Sequence, residues 1–360
     1  MEYQIPFIPG PTSVPLSIRN AYLTNYGSAD LEEDYFQLYS NVQNKLRKLL
    51  NTSNQMAIMS GEGMVVLWGA LKSTLKPNDR VLVISSGLFG DGFAEMAESL
   101  QCQVQLIKGK EGDCPSDDEI LNSALNFKPD LITFVLCETP SGILNPISKI
   151  SQISKQVNAL FCVDFVSCGG GIPIFVDEWN IDLGLLGTQK CLSCLPDLGI
   201  CSVSSKAWKR IEEVNYKGYD ALFPFRDALQ NKYFPYTPNW HALAALNTSL
   251  DMLFSEGLEA VFKRHNDVAK YTREEVKKIG LKLYPVREEL NSPTVTAVYL
   301  PDNMKFEELD KELRKRGIVI GGTFGDLAGK IFRIGHMGSQ AKMEYAEKLI
   351  SALKEVIRKE

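Results

Sequence analysis

Between about residues 50 and 205 the chain alternates short runs rich in β-branched residues with stretches whose apolar positions recur at helical spacing. MAIMS at 56–60 leads into MVVLWGAL, VLVISS at 81–86 into FAEMAESL, and LITFVLCE at 131–138 into NPISKISQISKQV. QVQLIKG, LFCVDFVS, IDLGLLGT and GICSVSS supply further strands. Continuous apolar strands separated by helices predict a mostly parallel sheet covered on both faces. In such sheets ligands bind at the carboxyl ends of the strands, so residues just beyond those ends carry the functional weight. A long helical stretch follows from Trp240 to Gly280, broken near Glu256-Gly257. The pattern then changes to strand TVTAVYL, helix FEELDKELRKRG, a short IVIGG, strand KIFRI and a final helix from Met343 to Glu360. The chain reads as an α/β protein: a large sheet domain over 21–257, a smaller C-terminal α+β domain over 258–360, and an N-terminal segment, 1–20, packing on the small domain.

Composition narrows the class without naming it. Of 360 residues, 44% are hydrophobic and 23% charged, which excludes wholesale disorder, a collagen-like repeat and a coiled-coil rod. With 39 Lys+Arg against 44 Asp+Glu, the net charge of −5 offers no basic face for nucleic acid. The basic run Lys311, Arg314, Lys315, Arg316 is interleaved with Glu307, Glu308, Asp310 and Glu312 and reads as a solvated helix face. The most apolar long stretch, Ala159 to Val176, contains Asp164 and three consecutive glycines, so it predicts a buried strand and turn rather than a membrane span. The start MEYQIPFIPGP lacks the pattern of a signal or transit peptide, and IRKE is not a peroxisomal ending; a cytoplasmic protein is expected. Eight cysteines are then expected to be reduced thiols. Cys191 and Cys194 form one CxxC with no second pair at zinc-ribbon spacing, and His241, His265 and His336 are scattered, so no metal site is expected.

Three places can carry chemistry. The loop Ser60-Gly61-Glu62-Gly63-Met64 joins a strand to a helix, where backbone N–H groups and the helix dipole favour an anion. Val66 stands where a dinucleotide loop needs its third glycine, and no acid ends the next strand, so a monophosphate fits better than a dinucleotide. A tight turn with no ligand remains the alternative. Asp164 closes the strand LFCVD; it is either a turn former or a carboxylate aimed into the crevice. Lys190, 26 positions on, sits just past another strand in a nearly uncharged segment, either as a surface lysine or as a desolvated amine suited to Schiff-base formation. One group explains all three: pyridoxal phosphate needs a phosphate cup, a lysine for its aldehyde and a carboxylate on its pyridine nitrogen. Phe89, after VLVISS, is placed to stack on the ring.

From PGPTSVP at 9–15 to FRIGHMG at 332–338, the chain resembles the class V aminotransferases of the fold-type I pyridoxal phosphate enzymes. Within them it looks most like the alanine–glyoxylate, serine–glyoxylate and serine–pyruvate group. CETPSGILNP, VDFVS, GTQK and FRIGHMG stand in the family's order and approximate spacing. The resemblance implies that Lys190 holds the cofactor as a Schiff base and shuttles the proton, and that Asp164 pairs with the ring nitrogen. Val166 and Phe89 would flank the ring, and Thr139 would lie beside the cofactor. Gly61, Glu62, Gly63, Met64 and Gln189 match the phosphate side. Thr237 would reach the phosphate from a partner subunit, implying a homodimer, and Arg333 would clamp the substrate α-carboxylate. The activity so implied is ping-pong transfer of an amino group from alanine or serine to glyoxylate or pyruvate.

Three positions depart from the family pattern. Glu62 stands where small hydroxyl residues are common, and a carboxylate beside a phosphate is repulsive, so its side chain is expected to point away, into a structural pair. Pro140 replaces a frequent serine, and Trp240-His241 follow the TP turn. Alternatives are a lyase of the cysteine desulfurase type, against which Gln189 rather than histidine precedes Lys190, a non-catalytic pyridoxal phosphate-binding subunit, and a nicotinamide dehydrogenase, which the missing glycine disfavours.

Overall fold

The computed structural model describes residues 3–358; Met1, Glu2, Lys359 and Glu360, where the outer limits of the sequence-read segments fall, lie outside the described residues. In chain order the strands are β1 (Ile5–Phe7), β2 (Gln55–Ser60), β3 (Arg80–Ser85), β4 (Gln103–Lys108), β5 (Leu131–Val135), β6 (Cys137–Glu138) and β7 (Ile143–Leu144). Then come β8 (Leu160–Asp164), β9 (Leu183–Gly187), β10 (Leu198–Val203), β11 (Thr296–Tyr299), β12 (Ile318–Ile320) and β13 (Ile331–Ile334). The helices are α1 (Leu16–Asn20), α2 (Glu33–Leu49), α3 (Gly63–Thr74), α4 (Leu88–Ser99), α5 (Asp117–Phe127) and α6 (Ser148–Gln156). They continue with α7 (Ser205–Val214), α8 (Ala228–Asn231), α9 (Trp240–Glu256), α10 (Leu258–Lys278), α11 (Phe306–Arg314) and α12 (Met343–Arg358).

The central sheet has the order β2-β10-β9-β8-β5-β3-β4. From β4 through β9 its neighbours run parallel, whereas β10 is antiparallel to both β9 and β2. The reason lies in the connection: residues 188–197 are too few for a crossover helix, so the chain must double back. That reversing loop carries Gln189 and Lys190. Strands β5, β8, β9 and β10 are buried along their whole length, which is why they read as mostly apolar runs.

A second layer of structure gathers the two ends of the chain. β1 pairs in parallel with β12, aligning Ile5 with Ile318 and Phe7 with Ile320, and β11 pairs antiparallel with β13. Ile5 and Phe7 share an apolar cluster with Val298, Phe332, Leu349 and Leu353, distinct from the larger cluster around the central sheet. Between β1 and α1 the chain crosses the reversing loop. There the Thr12 N–H donates to the Gln189 carbonyl at 2.9 Å, and its hydroxyl donates to the Lys190 carbonyl, also at 2.9 Å. The helical break falls at Gly257, whose φ of +88° lies where a side chain is strained. No helix among the described residues is long and apolar enough to cross a membrane.

Candidate active site

Asp164 ends β8, Lys190 sits in the β9–β10 loop, and Arg333 lies in β13. A cavity of about 480 Å³ opens where the layers meet, and Phe89, Thr139, Lys190, Phe324 and Arg333 line it. Asp164 is only 6% exposed, and its Oδ1 accepts the Val166 N–H at 2.8 Å. Burial pushes its carboxyl up to about 6, against the pull of that N–H and of Lys190, and Glu62 pushes it the same way as burial. The group is therefore ionised at neutral pH yet readily shares a proton.

Lys190 moves in the opposite direction. Burial, then the nearby Arg333 cation, lower its ammonium to about 8. Its Nζ donates to the Pro9 carbonyl, so the N-terminal segment covers the lysine. Gly10, with φ +89°, is the residue that permits this: a Cβ there would collide with the Lys190 side chain.

Arg333 is 5% exposed, and burial lowers its pKa to about 10. Nε donates to the Gly322 carbonyl at 2.7 Å, Nη1 donates to the Thr139 carbonyl at 3.3 Å, and the guanidinium lies 5.4 Å from the Phe324 ring centre. No carboxylate among the described residues forms an ion pair with it. A buried cation without a charged partner is costly to hold.

Phe89 lies in the first turn of α4, and a residue that the sequence reading did not single out positions it. Glu138, fully buried, accepts the Phe89 N–H at 3.2 Å through Oε2 and the Gly90 N–H at 2.6 Å through Oε1. Burial drives its carboxyl up to about 8 although both N–H groups pull it down. The signal was present, since Glu138 ends the apolar run LITFVLCE as Asp164 ends LFCVD. Thr139 follows in the β6–β7 turn. Its hydroxyl is hydrogen-bonded to that of Ser167, and its carbonyl is the one that Arg333 meets.

The cup is formed by Gly61, whose φ is +120°, Gly63, the first residue of α3, and exposed Met64. Val166 closes against it, because a Cβ on Gly63 would lie 3.3 Å from the valine methyls. Glu62 does enter a structural pair, with Gln189, but its side chain turns onto the helix start where it was expected to point away. It is the N-cap of α3: Oε1 accepts the Met64 N–H at 2.8 Å, and Oε2 accepts the Gln189 Nε2 amide at 2.9 Å. An extended N-cap backbone folds the carboxylate over the positive end of the helix, where an anion is favoured. Gln189 Oε1 is buried without a hydrogen-bond partner. Thr237 is exposed in the loop before α9 and is not in the cavity lining; the hydroxyl of its neighbour Tyr236 accepts the Ser60 N–H at 2.9 Å.

Other candidates are absorbed by the fold. Cys191 and Cys194 are buried free thiols that burial pushes up to about 12, and their sulfurs face backbone carbonyls. His336 donates from Nδ1 to the Pro293 carbonyl at 3.0 Å and accepts the Thr296 hydroxyl at 2.7 Å, and burial drops it to about 3.

Against pyridoxal phosphate, the ring end of the site fits in its chemistry: an amine with a lowered pKa and Phe89 line the cavity, and the buried Asp164 carboxylate lies near that amine. The phosphate end is different, because the Met64 N–H and the Gln189 amide already serve the Glu62 carboxylate.

The class V aminotransferase model matches residues 11–333. An uncharacterized aminotransferase of Methanocaldococcus jannaschii is 36% identical over 338 residues, 92% of this chain and 87% of the relative. A pyridoxamine–pyruvate transaminase of Mesorhizobium japonicum is 31% identical over 331 residues, 90% and 84% of the two chains. The solved alanine–glyoxylate aminotransferase of a Nostoc species superposes with a TM-score of 0.95 at 27% identity, covering 99% of this chain and 96% of that one. Class V aminotransferases depend on pyridoxal phosphate. Lys190 and Arg333 line one cavity, Asp164 lies near enough to Lys190 for their charges to interact, and the chain belongs to the class V aminotransferases and transfers an amino group to a 2-oxo acid.

Proposed function

We propose that the amino group moves between a small amino acid, such as alanine or serine, and a small 2-oxo acid, glyoxylate or pyruvate. The observation that carries this is Arg333, a buried guanidinium without a carboxylate partner on the wall that Lys190 shares. The N–H groups left free on Nη1 and Nη2 bind the α-carboxylate that both substrates possess. This fixes the substrate Cα toward Lys190. Nζ, lowered to about 8, is partly neutral at working pH and takes the Cα proton, then returns it on the way back. Asp164 would hold a proton on the ring nitrogen of the bound group, and Phe89 and Val166 would flank its ring. A pyridoxal ring, when bound, supplies the electron sink. Gly61, Glu62, Gly63, Met64, Gln189 and Thr139 border it in this reading. Gln189 rather than a histidine precedes Lys190, which disfavours a desulfurase.

The same reading includes a homodimer in which exposed Thr237 reaches the partner's cup, domains at 21–257 and 258–360 with the 1–20 segment against the second, and a cytoplasmic location with reduced thiols. The test is formation of alanine from pyruvate, or glycine from glyoxylate, with an amino donor and a pyridoxal group supplied. Failure of both oxo acids to gain nitrogen contradicts the function.

A further inference from the structure

We propose that the cup at the start of α3 is built for a hydroxymethyl group instead of a phosphate ester, so that this site takes unphosphorylated pyridoxamine as an exchangeable amino donor. The proposal rests on the aminotransferase reading above and narrows what sits in that site.

The cup already contains its anion. Glu62 accepts from the Met64 N–H at 2.8 Å and from the Gln189 amide at 2.9 Å, the donors that a phosphate at this helix end would need. No Lys or Arg among the described residues forms an ion pair with Glu62, and the buried carboxylate whose pKa it raises, Asp164, has the same sign. A phosphate dianion placed there meets an uncompensated like charge. In a partly buried site that repulsion costs on the order of 10³-fold in affinity, and roughly a hundredfold after partial screening by water.

Hydrogen-bonding capacity points the same way. A carboxylate accepts at about four lone-pair sites, and Glu62 has two in use. Next to it Gln189 Oε1 is a buried acceptor with no donor. Two of the cup's donors, the Met64 N–H and the Gln189 amide, are therefore already taken, and a phosphate dianion brings only more acceptors. The 5′-hydroxymethyl of pyridoxamine brings an O–H that the carboxylate can accept. Asp164, Lys190 and Arg333 remain in place for the ring and the oxo acid, so the chemistry is kept while the ionic anchor that retains the ring between turnovers is lost.

The exchange balances without another reactant. Pyridoxamine and a 2-oxo acid become pyridoxal and an amino acid: the C–N bond at the pyridoxamine methylene breaks, and a C–N bond forms at the oxo carbon. The methylene carbon is oxidised to the aldehyde by two electrons, and the oxo carbon is reduced by the same two. The carbonyl oxygen leaves and is replaced through water, and Lys190 Nζ carries the proton between the two carbons.

Two readouts test the proposal, one of them independent of turnover. Equilibrium dialysis of the purified protein with pyridoxal or pyridoxal 5′-phosphate should show retention of pyridoxal and at least about a hundredfold weaker retention of the phosphate. Turnover with pyruvate should show a similar advantage in kcat/KM for pyridoxamine over pyridoxamine 5′-phosphate. Glu62→Ser keeps a good N-cap, so the helix should survive, and it should move both ratios toward the phosphate form. Glu62→Gln removes only the charge and should move them in the same direction. Tighter binding of the phosphate by the wild type, or ratios unmoved in both variants, overturns the proposal. If pyridoxamine 5′-phosphate aminates pyruvate and pyridoxamine does not, this inference alone fails. If neither form aminates pyruvate or glyoxylate, the inference fails together with the aminotransferase reading beneath it.

Discussion

Replacing Arg333 with alanine should remove the grip on every carboxylate substrate while sparing the binding of the ring. The side chain is 5% exposed and meets carbonyls at 2.7 and 3.3 Å, leaving N–H groups on Nη1 and Nη2 for a substrate. Hydrogen bonds to charged groups contribute about 1.5–3 kcal/mol each, so two of them are worth roughly 3–6 kcal/mol. At about 1.4 kcal/mol per factor of ten, kcat/KM for the oxo acid should fall on the order of 10²–10⁴-fold. The fold should largely tolerate the change, since a buried, unneutralised charge is removed and only the Gly322 and Thr139 carbonyls lose a donor. Arg333→Lys retains the charge but cannot span both carbonyls and a bidentate carboxylate, so it should recover only part of the loss. The assay is amination of pyruvate and of glyoxylate at several concentrations, beside dialysis of the ring group. An effect confined to one oxo acid, or an equal loss of ring binding, refutes the carboxylate role.

Further expectations follow from the buried titrating groups. Asp164→Asn should slow amino transfer by at least about a hundredfold with retention of the fold by circular dichroism, and an unchanged rate contradicts its place at the ring nitrogen. In the ligand-free protein, borohydride-trapped labelling of Lys190 by an aldehyde should rise with a midpoint near pH 8, well below the ordinary lysine value of 10.5 that exposed lysines should follow; a midpoint above pH 10 contradicts its burial. Glu138→Gln leaves one of the two α4 N–H groups facing an amide nitrogen and should destabilise the protein by about 1–3 kcal/mol at low pH. Because the folded Glu138 carboxyl is raised from 4.5 to about 8, the wild type binds more protons folded than unfolded between those values and loses stability as pH rises. The gap between wild type and variant should therefore narrow from pH 5 to pH 8 in thermal melts, and a widening gap shows the sign to be wrong.

What the sequence made legible follows from burial. β5, β8 and β9 are buried at every position and mostly apolar because both faces are covered, so Asp164 at the end of β8 and Lys190 just past β9 stand out in the sequence. Direction was not legible in the same way: β10 reads as a buried strand whether it runs parallel or antiparallel, and only the length of the 188–197 connection reveals the reversal. Glu62 shows a different limit. Charge repulsion with a phosphate was evident from residue type, but the rotamer that turns its carboxylate onto the Met64 N–H depends on the extended N-cap backbone and on Gln189. Contacts between distant segments were equally hidden: the Pro9 carbonyl and Lys190 become neighbours only when β1 pairs with β12 and the N-terminal segment crosses the β9–β10 loop. Glu138 was within reach, because it carries the same signature as Asp164, an acid closing an apolar strand.

Amino transfer at Lys190 is the central step. The measurement is a visible absorbance spectrum of the protein loaded with whichever pyridoxal form it retains, first alone, then after L-alanine, then after pyruvate or glyoxylate. A yellow band that bleaches with alanine and returns with the oxo acid in the wild type, but does neither in Lys190→Ala, is the predicted result. A band that neither addition changes in the wild type, or one that cycles normally without Lys190, contradicts it.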